Sequence, residues 1–313
     1  MSLVSPQLRR AIRHRLVRYR SSAKPLGIST DAAFEVLLRQ IYDSVRRVEY
    51  FFALRSRVPD PTRSDPTSKN FDPIRAAIHQ LRANNIDEAA WLAFLATHFG
   101  TNRRTGWRLV REVYGSLSAG SRWDWHHVRQ GPMRFTRWLE ANHEHLKGGF
   151  GNHRKYMSLK PKSRAGTAQA IESYVKWVQG HSSHAQLLAS FEQRVGNDRC
   201  KLFDAIYRDM RKNVRAFGRT GCFDFLCSLG KLGIFPIEPG SPYISGSTGP
   251  RAGAELLLMG HSGKTLRPIH LDQQIQPLGN ELAGAGVKFA MQVVEDAICN
   301  WQKSPSQYER FSG

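Results

Sequence analysis

Apolar residues recur three and four positions apart along most of this chain, whereas the strict alternation that marks a half-buried strand is scarce. Helical spacing is predicted over 32–54, 74–81, 86–99, 103–114, 133–145, 167–179, 185–195, 202–213, 222–229 and 287–301. The pattern therefore predicts an all-α protein. Near the N-terminus, Leu8, Ile12 and Leu16 keep helical spacing beneath a dense set of arginines. "VPDPTRSDPTSKNFDP" interrupts the periodicity with Pro, Ser and Asp and reads as a linker. The resulting division is a helical extension over 1–57, a linker over 58–72 and a main helical domain over 73–313. No internal repeat or long low-complexity tract is visible.

Charge changes this picture more than composition does. The 313 residues carry 46 Lys+Arg against 26 Asp+Glu, a formal net charge of +20. Such an excess favours a polyanion through phosphate neutralisation and counterion release, with an acidic membrane surface as the competitor. Residues 1–24 hold seven Lys/Arg and no acid. They read either as a solvated face or as a nucleic-acid arm, with Arg9, Arg10 and Arg13 as its contacts. No apolar run approaches the roughly 18 residues of a membrane span. Arginines interrupt any signal-like segment, so a cytoplasmic protein is expected, with no membrane partner; no obligate protein partner is inferred.

Cys200, Cys222, Cys227 and Cys299 have no zinc or iron–sulfur spacing and read as reduced, packed thiols. "WDWHH" (Trp123 to His127) sets two histidines side by side without spaced acidic partners, a poor metal site. Neither GxxxxGK[ST] nor GxGxxG is present, and neither a metal nor a cofactor is expected. The tryptophans read mostly as core anchors.

One stretch carries chemistry. "DAIYRDMRKNVRAFGRTGCFDFLCSLG" reads as a helix ending near Val214, a tight turn at Phe217-Gly218 and a second helix beginning near Thr220, so that the hairpin spans 214–222. Such a hairpin offers backbone N–H groups at the second helix's N-terminus as a phosphate seat, and Arg219 would add a charge-assisted contact. Phe217, Gly218, Arg219 and Thr220 are the candidate DNA contacts. "GKLG" and the extended "IFPIEPG" follow and present Glu238.

In order, spacing and apolar pattern, "GRTGCFDFLCSLGKLGIFPIEPG" resembles the run in helix-hairpin-helix DNA glycosylases where "GxGxxTA" leads through an apolar helix to "hPVDTH" with its catalytic aspartate. Glu238 stands where that family has its aspartate. "IDEAAWLAFLATHFGTNRRTGWRLVREVY" is similar to the family's first helix pair, and "LKGGFGNHRKYMSLK" to its "GFYxxKAxxL" segment. A closer resemblance, carried by "FGTNRRTGW", "FGNHRKY", "GRTGCFDFLCSLGKLG" and "SGSTGPRAGAELL", is to the alpha-glutamyl/putrescinyl thymine pyrophosphorylases of phages and bacteria. The resemblance implies two helical lobes flanking a DNA cleft. The hairpin lacks the Schiff-base lysine of bifunctional glycosylases, so strand cleavage by that route is not expected. Glutamate replaces the aspartate, and "PG" replaces "TH".

Breaking an N-glycosidic bond develops positive charge on the sugar, which a carboxylate stabilises directly or by activating water. Glu238 is the first candidate, the alternative being a helix cap or ion pair. Asp224 is the second, its alternative being a structural pair with a basic neighbour. A flipped base needs donors and planar groups around it. His98, Asn102 and Arg103 in one loop supply them, as do Asn152, His153, Arg154 and Tyr156 in another, with Tyr243 after Glu238. An N-cap accounts for Asn102 equally well. The polar stretch 269–279 has no assigned role.

The function expected from this resemblance is excision of a modified pyrimidine, for instance hydroxymethylcytosine or a glucosylated or otherwise hypermodified base. The substrate would be double-stranded phage DNA, left with an abasic site, in anti-phage defence. A transferase that hypermodifies a pyrophosphorylated 5-hydroxymethylpyrimidine is the alternative. A non-catalytic DNA-binding module is the further one.

Overall fold

The structure, a computed structural model, describes residues 3–118, 120–263 and 267–311, the side chains of residues 268 and 269 excepted. Among the described residues it holds fourteen α-helices and no β-strand, so the protein is all-α. The first seven are α1 (Pro6–Ala23), α2 (Asp31–Arg55), α3 (Pro73–Arg82), α4 (Ile86–Phe99), α5 (Arg108–Tyr114), α6 (Trp125–Gln130) and α7 (Pro132–Asn142). Then come α8 (Thr167–Gln179), α9 (His184–Val195), α10 (Arg199–Asn213), α11 (Gly218–Leu232), α12 (Gly249–Met259), α13 (Pro268–Gly284) and α14 (Ala290–Trp301). No described helix is long and apolar enough to cross a membrane.

Two compact units divide the chain: Met1–Ala53 with Glu238–Ser312, and Leu54–Ile237. The first joins both ends of the sequence. Ser5 caps α1 by accepting from the Leu8 N–H, and Ile12, Leu16 and Tyr19 are buried along one stripe. The arginines on its other faces meet distant acids: Arg13 pairs with Glu35, Arg20 with Asp31 at 2.7 Å, and Arg15 and Arg18 with Glu281 at 3.2 and 3.3 Å. Ser44 and Arg47 of α2 both donate to Asp296 of α14, at 2.7 and 2.8 Å. The expected extension is thus built into a helical unit with the C-terminal helices, a packing that local periodicity could not reveal.

The second unit is organised around α4, which is apolar on all sides and almost wholly buried. Asn85 caps it, and Gly100, at φ 67°, ends it. Phe94 stacks on Tyr174 of α8 at 3.8 Å and on Phe217 at 4.8 Å, while Phe225 of α11 meets Phe94 edge-on at 5.6 Å. Each such ring contributes roughly 1.5–3 kcal/mol of burial free energy. Buried polar atoms are paired across the helices. Asp87 bonds His184 Nδ1 at 2.6 Å, and His184 Nε2 meets the Tyr174 hydroxyl at 2.7 Å.

The stretch read as a linker is folded. Asp60 accepts from the Thr62 N–H, Asp65 from Thr67 and Ser68 from Asn70, and Asp72 caps α3. The Asp and Ser residues that marked it as irregular serve as acceptors for successive turns.

Candidate functional site

Two loops singled out in the sequence meet in the second unit. In the first, helical periodicity had been expected from residue 103, but α5 begins at Arg108 because Asn102 builds a turn instead. Its side-chain oxygen accepts from the N–H groups of Arg104 and Thr105 at 2.9 and 3.0 Å, and its amide donates to the Phe150 carbonyl at 2.8 Å. Asn102 is therefore a brace between loops. The second loop, "KGGFG", lies flush against the first. Gly149 N–H donates to Thr105 Oγ1 at 3.1 Å and Gly151 N–H to the Phe99 carbonyl at 2.8 Å. A Cβ on Gly148 would stand 2.2 Å from the Leu109 nitrogen, so the approach requires glycine. Glu112 anchors this loop by accepting from the N–H groups of Lys147 and Gly148.

Arg154 joins these loops to the hairpin helix. Its Nε donates to the Thr97 carbonyl at 2.7 Å and its Nη2 to Asp224 Oδ2 at 2.8 Å. The Arg154 side chain is 9% exposed and that of Asp224 37%. The guanidinium is thus a strut, and the pair is the structural alternative expected for Asp224, one that leaves the carboxylate partly open to solvent. Among the described residues, the other Asp224 oxygen has no hydrogen-bond partner.

His98, expected in a base pocket, is fully buried. Burial, reinforced by the nearby Arg154 charge, lowers its pKa to about 3, so it is neutral. Its Nε2 lies 3.1 Å from Thr167 Oγ1, its ring stacks with Phe94 and Phe217, and Nδ1 has no partner. It forms part of the wall behind Arg154. Arg103, Asn152, His153 and Tyr156 are exposed, Tyr156 to 81%, with Lys155 Nζ 5.1 Å from its ring centre.

The predicted hairpin is present, with α10 ending at Asn213 and α11 starting at Gly218. Ala216 and Gly218 both take left-handed backbone, at φ 51° and 63°, which reverses the chain between the helices. Its side chains are arranged differently from the expectation. Phe217 and Arg219 are each only 6% exposed. Phe217 packs against Phe94, in space left by Gly221, where a Cβ would lie 3.0 Å from its ring. Arg219 lies on the inner side of α11 with its guanidinium 4.9 Å over the Phe223 ring. Exposed Gly218 and half-buried Thr220 remain at the turn, together with Arg215, which sequence reasoning missed. Arg215 is exposed, and its N–H is fixed to Ser173 Oγ at 2.9 Å.

In the first unit, Glu238 accepts the Phe289 N–H at 2.7 Å, and Phe289 is the N-cap residue of α14. The carboxylate is therefore a helix cap, the structural alternative to its catalytic role. Asp272 and Gln276 of α13 hold the following loop. Asp272 accepts the Ile244 N–H at 2.7 Å and Gln276 donates to the Gly240 carbonyl at 3.1 Å. Stretch 269–279 thereby gains a role, apart from Ile269, whose side chain lies outside the described residues. Tyr243 is half-buried in that loop at φ 51°. Of the N-terminal arginines, Arg9 stacks 4.8 Å over Tyr42 and Arg13 pairs with Glu35, whereas Arg10 is exposed.

Among the described residues no cluster of His, Cys, Asp or Glu is arranged to hold a metal ion. Asp124 and His127 of "WDWHH" are paired in capping α6. The site is a helical one: a hairpin, two interlocked loops and an arginine-held carboxylate, in a strongly basic chain.

The family model described as alpha-glutamyl/putrescinyl thymine pyrophosphorylase clade 3 matches residues 32–313, and the chain belongs to that family. The description is of an enzyme acting on a modified thymine. No curated protein matches the chain, and no solved structure does.

Proposed function

We propose that the chain excises a modified pyrimidine from DNA by hydrolysing its N-glycosidic bond, with Asp224 as the working carboxylate. The observation that carries this reading is the Arg154–Asp224 pair. It fixes one carboxylate oxygen and leaves the other open beside loops rich in donors and planar side chains. The bond from the sugar C1′ to the base nitrogen breaks with its electrons leaving on the base. The free oxygen of Asp224 stabilises the positive sugar and takes a proton from the water whose oxygen closes on C1′. The departing base takes up a proton from solvent, Asp224 returns its own to solvent, and an abasic site remains. Tyr156, Asn152, His153 and Arg103 supply stacking and donors for the flipped nucleotide, while Gly218, Thr220 and Arg215 seat the strand. Bases of this kind distinguish phage from host DNA, which makes defence the fitting role.

The family description favours a second reading, in which the enzyme builds an adduct on a pyrophosphorylated base and releases pyrophosphate. Incubation with DNA carrying modified pyrimidines separates the two. Free base with alkali-labile abasic sites supports excision, whereas a base that has exchanged its pyrophosphate for an adduct, with free pyrophosphate released, seen by mass spectrometry, replaces it with transfer.

A further inference from the structure

A concave surface in the same unit includes the end of the 100–107 loop in its lining. It encloses about 540 Å³ and is lined chiefly by Arg63, Lys69, Asn70, Trp107, Arg108 and Arg111. Four of these side chains are cationic, and no carboxylate joins the lining. The neighbouring acids are committed elsewhere: Glu112 to Arg108 and the 147–148 N–H groups, Asp65 to Thr67 and Arg122, Asp72 to Arg75 and the start of α3. Arg63 is fixed by donating to the Asn70 carbonyl at 3.1 Å. Among the described residues, Lys69 and Arg111 have no ion-pair partner. Trp107 is half-buried, and among the described residues its indole meets no other ring. Buried Phe71 also joins the lining and stacks on Tyr114 at 5.7 Å.

Unspent positive charge beside an unpartnered aromatic face is the combination that recognises a phosphate and a base together. The volume falls in the range of ordinary small-ligand sites. We propose that this pocket binds one nucleotide unit, its base stacked on Trp107 and its phosphate between Lys69 and Arg111, with Arg63 at the mouth. A free nucleotide and an unpaired stretch of DNA offer the same chemistry. The strand is the occupant we assign, since exposed Arg103 and Arg104 continue the positive surface along the same loop. This step rests on the reading that the chain acts on DNA.

The test is fluorescence anisotropy of a labelled, unmodified single-stranded thymidine oligomer with the full chain, titrated across salt concentrations. Trp107→Ala is expected to weaken binding on the order of tenfold, while Trp107→Phe, which keeps a stacking face, stays within about threefold. Lys69→Ala with Arg111→Ala should lower the slope of log affinity against log salt by about one to two. Thermal melts by circular dichroism verify that each variant is folded, and Lys69, being exposed, gives a single variant that leaves the core intact. Wild-type affinity and slope in Lys69→Ala/Arg111→Ala, with Trp107→Ala also unchanged, would overturn the site. Competition by thymidine monophosphate at micromolar concentration would overturn the strand as occupant. Because the readout is affinity for unmodified DNA, a protein that binds in this way yet releases no base defeats the proposed reaction and leaves this pocket standing.

Discussion

Asp224 and Glu238 belong to one continuous motif, yet the structure attaches them to different tasks. Glu238 satisfies the N–H at the head of α14, in a unit formed by the chain's two ends. Asp224 satisfies no backbone group. It is held by an arginine that is itself anchored to the end of α4, and more than a third of its side chain faces solvent. A carboxylate that completes a helix has its charge committed to a fixed dipole, whereas one oriented by a single ion pair keeps an oxygen for a substrate. Position in a motif is therefore a weaker guide to chemistry than what each oxygen already binds.

The largest expected effect comes from removing the charge at Asp224. Asp224→Asn should slow product formation by on the order of a hundredfold or more while DNA affinity is maintained. Near-wild-type turnover in single-turnover assays would break the comparison outright. Next in size is the packing that places Arg154 and its loop. Gly148→Ala drives a Cβ into the Leu109 backbone, and urea melts should show a loss of about 1–3 kcal/mol.

The wall behind the pair has its own signature. His98 titrates near pH 3 when folded and near its ordinary value when unfolded, so the unfolded chain binds the extra proton between those values. Its contribution is complete above about pH 6.5 and falls as pH drops towards 3, by about 1.4 kcal/mol per pH unit. His98→Gln should flatten that part of the stability profile. The smallest effect is assigned to Glu238→Gln, which keeps the shape of the cap but not its charge. Thermal denaturation should register about 0.5–1 kcal/mol, with activity within threefold. A hundredfold loss of activity in this variant, with Asp224→Asn active, would reverse the comparison.

Much of the fold was legible because the strongest periodicities coincide with strong boundaries. α4 and α8 match the spacing of the sequence residue for residue, and Gly100 stops the first of them. By contrast, α13 interleaves its apolar positions with glutamines and carries Pro277, which masks it. The hairpin's existence followed from its turn, but the direction of its side chains did not. Whether Phe217 and Arg219 face in or out depends on the space at Gly221 and the ring of Phe223, which belong to tertiary packing. The arginines of α1 teach the same lesson about charge. Their acidic partners, Glu35, Asp31 and Glu281, lie outside the segment whose composition marked it as a free basic arm.

The union of residues 1–53 with 238–312 in one unit has a consequence in time. On a ribosome adding about 5–20 residues per second, residues 54–237 emerge whole and can fold while the first helices still wait roughly 10–40 seconds for α12–α14. Throughout that interval Ile12, Leu16 and Tyr19, all buried in the finished protein, have none of the C-terminal helices of their unit to cover them. Until then Arg15 and Arg18 also lack Glu281, so their charge faces water, which favours the solubility of the half-made helix.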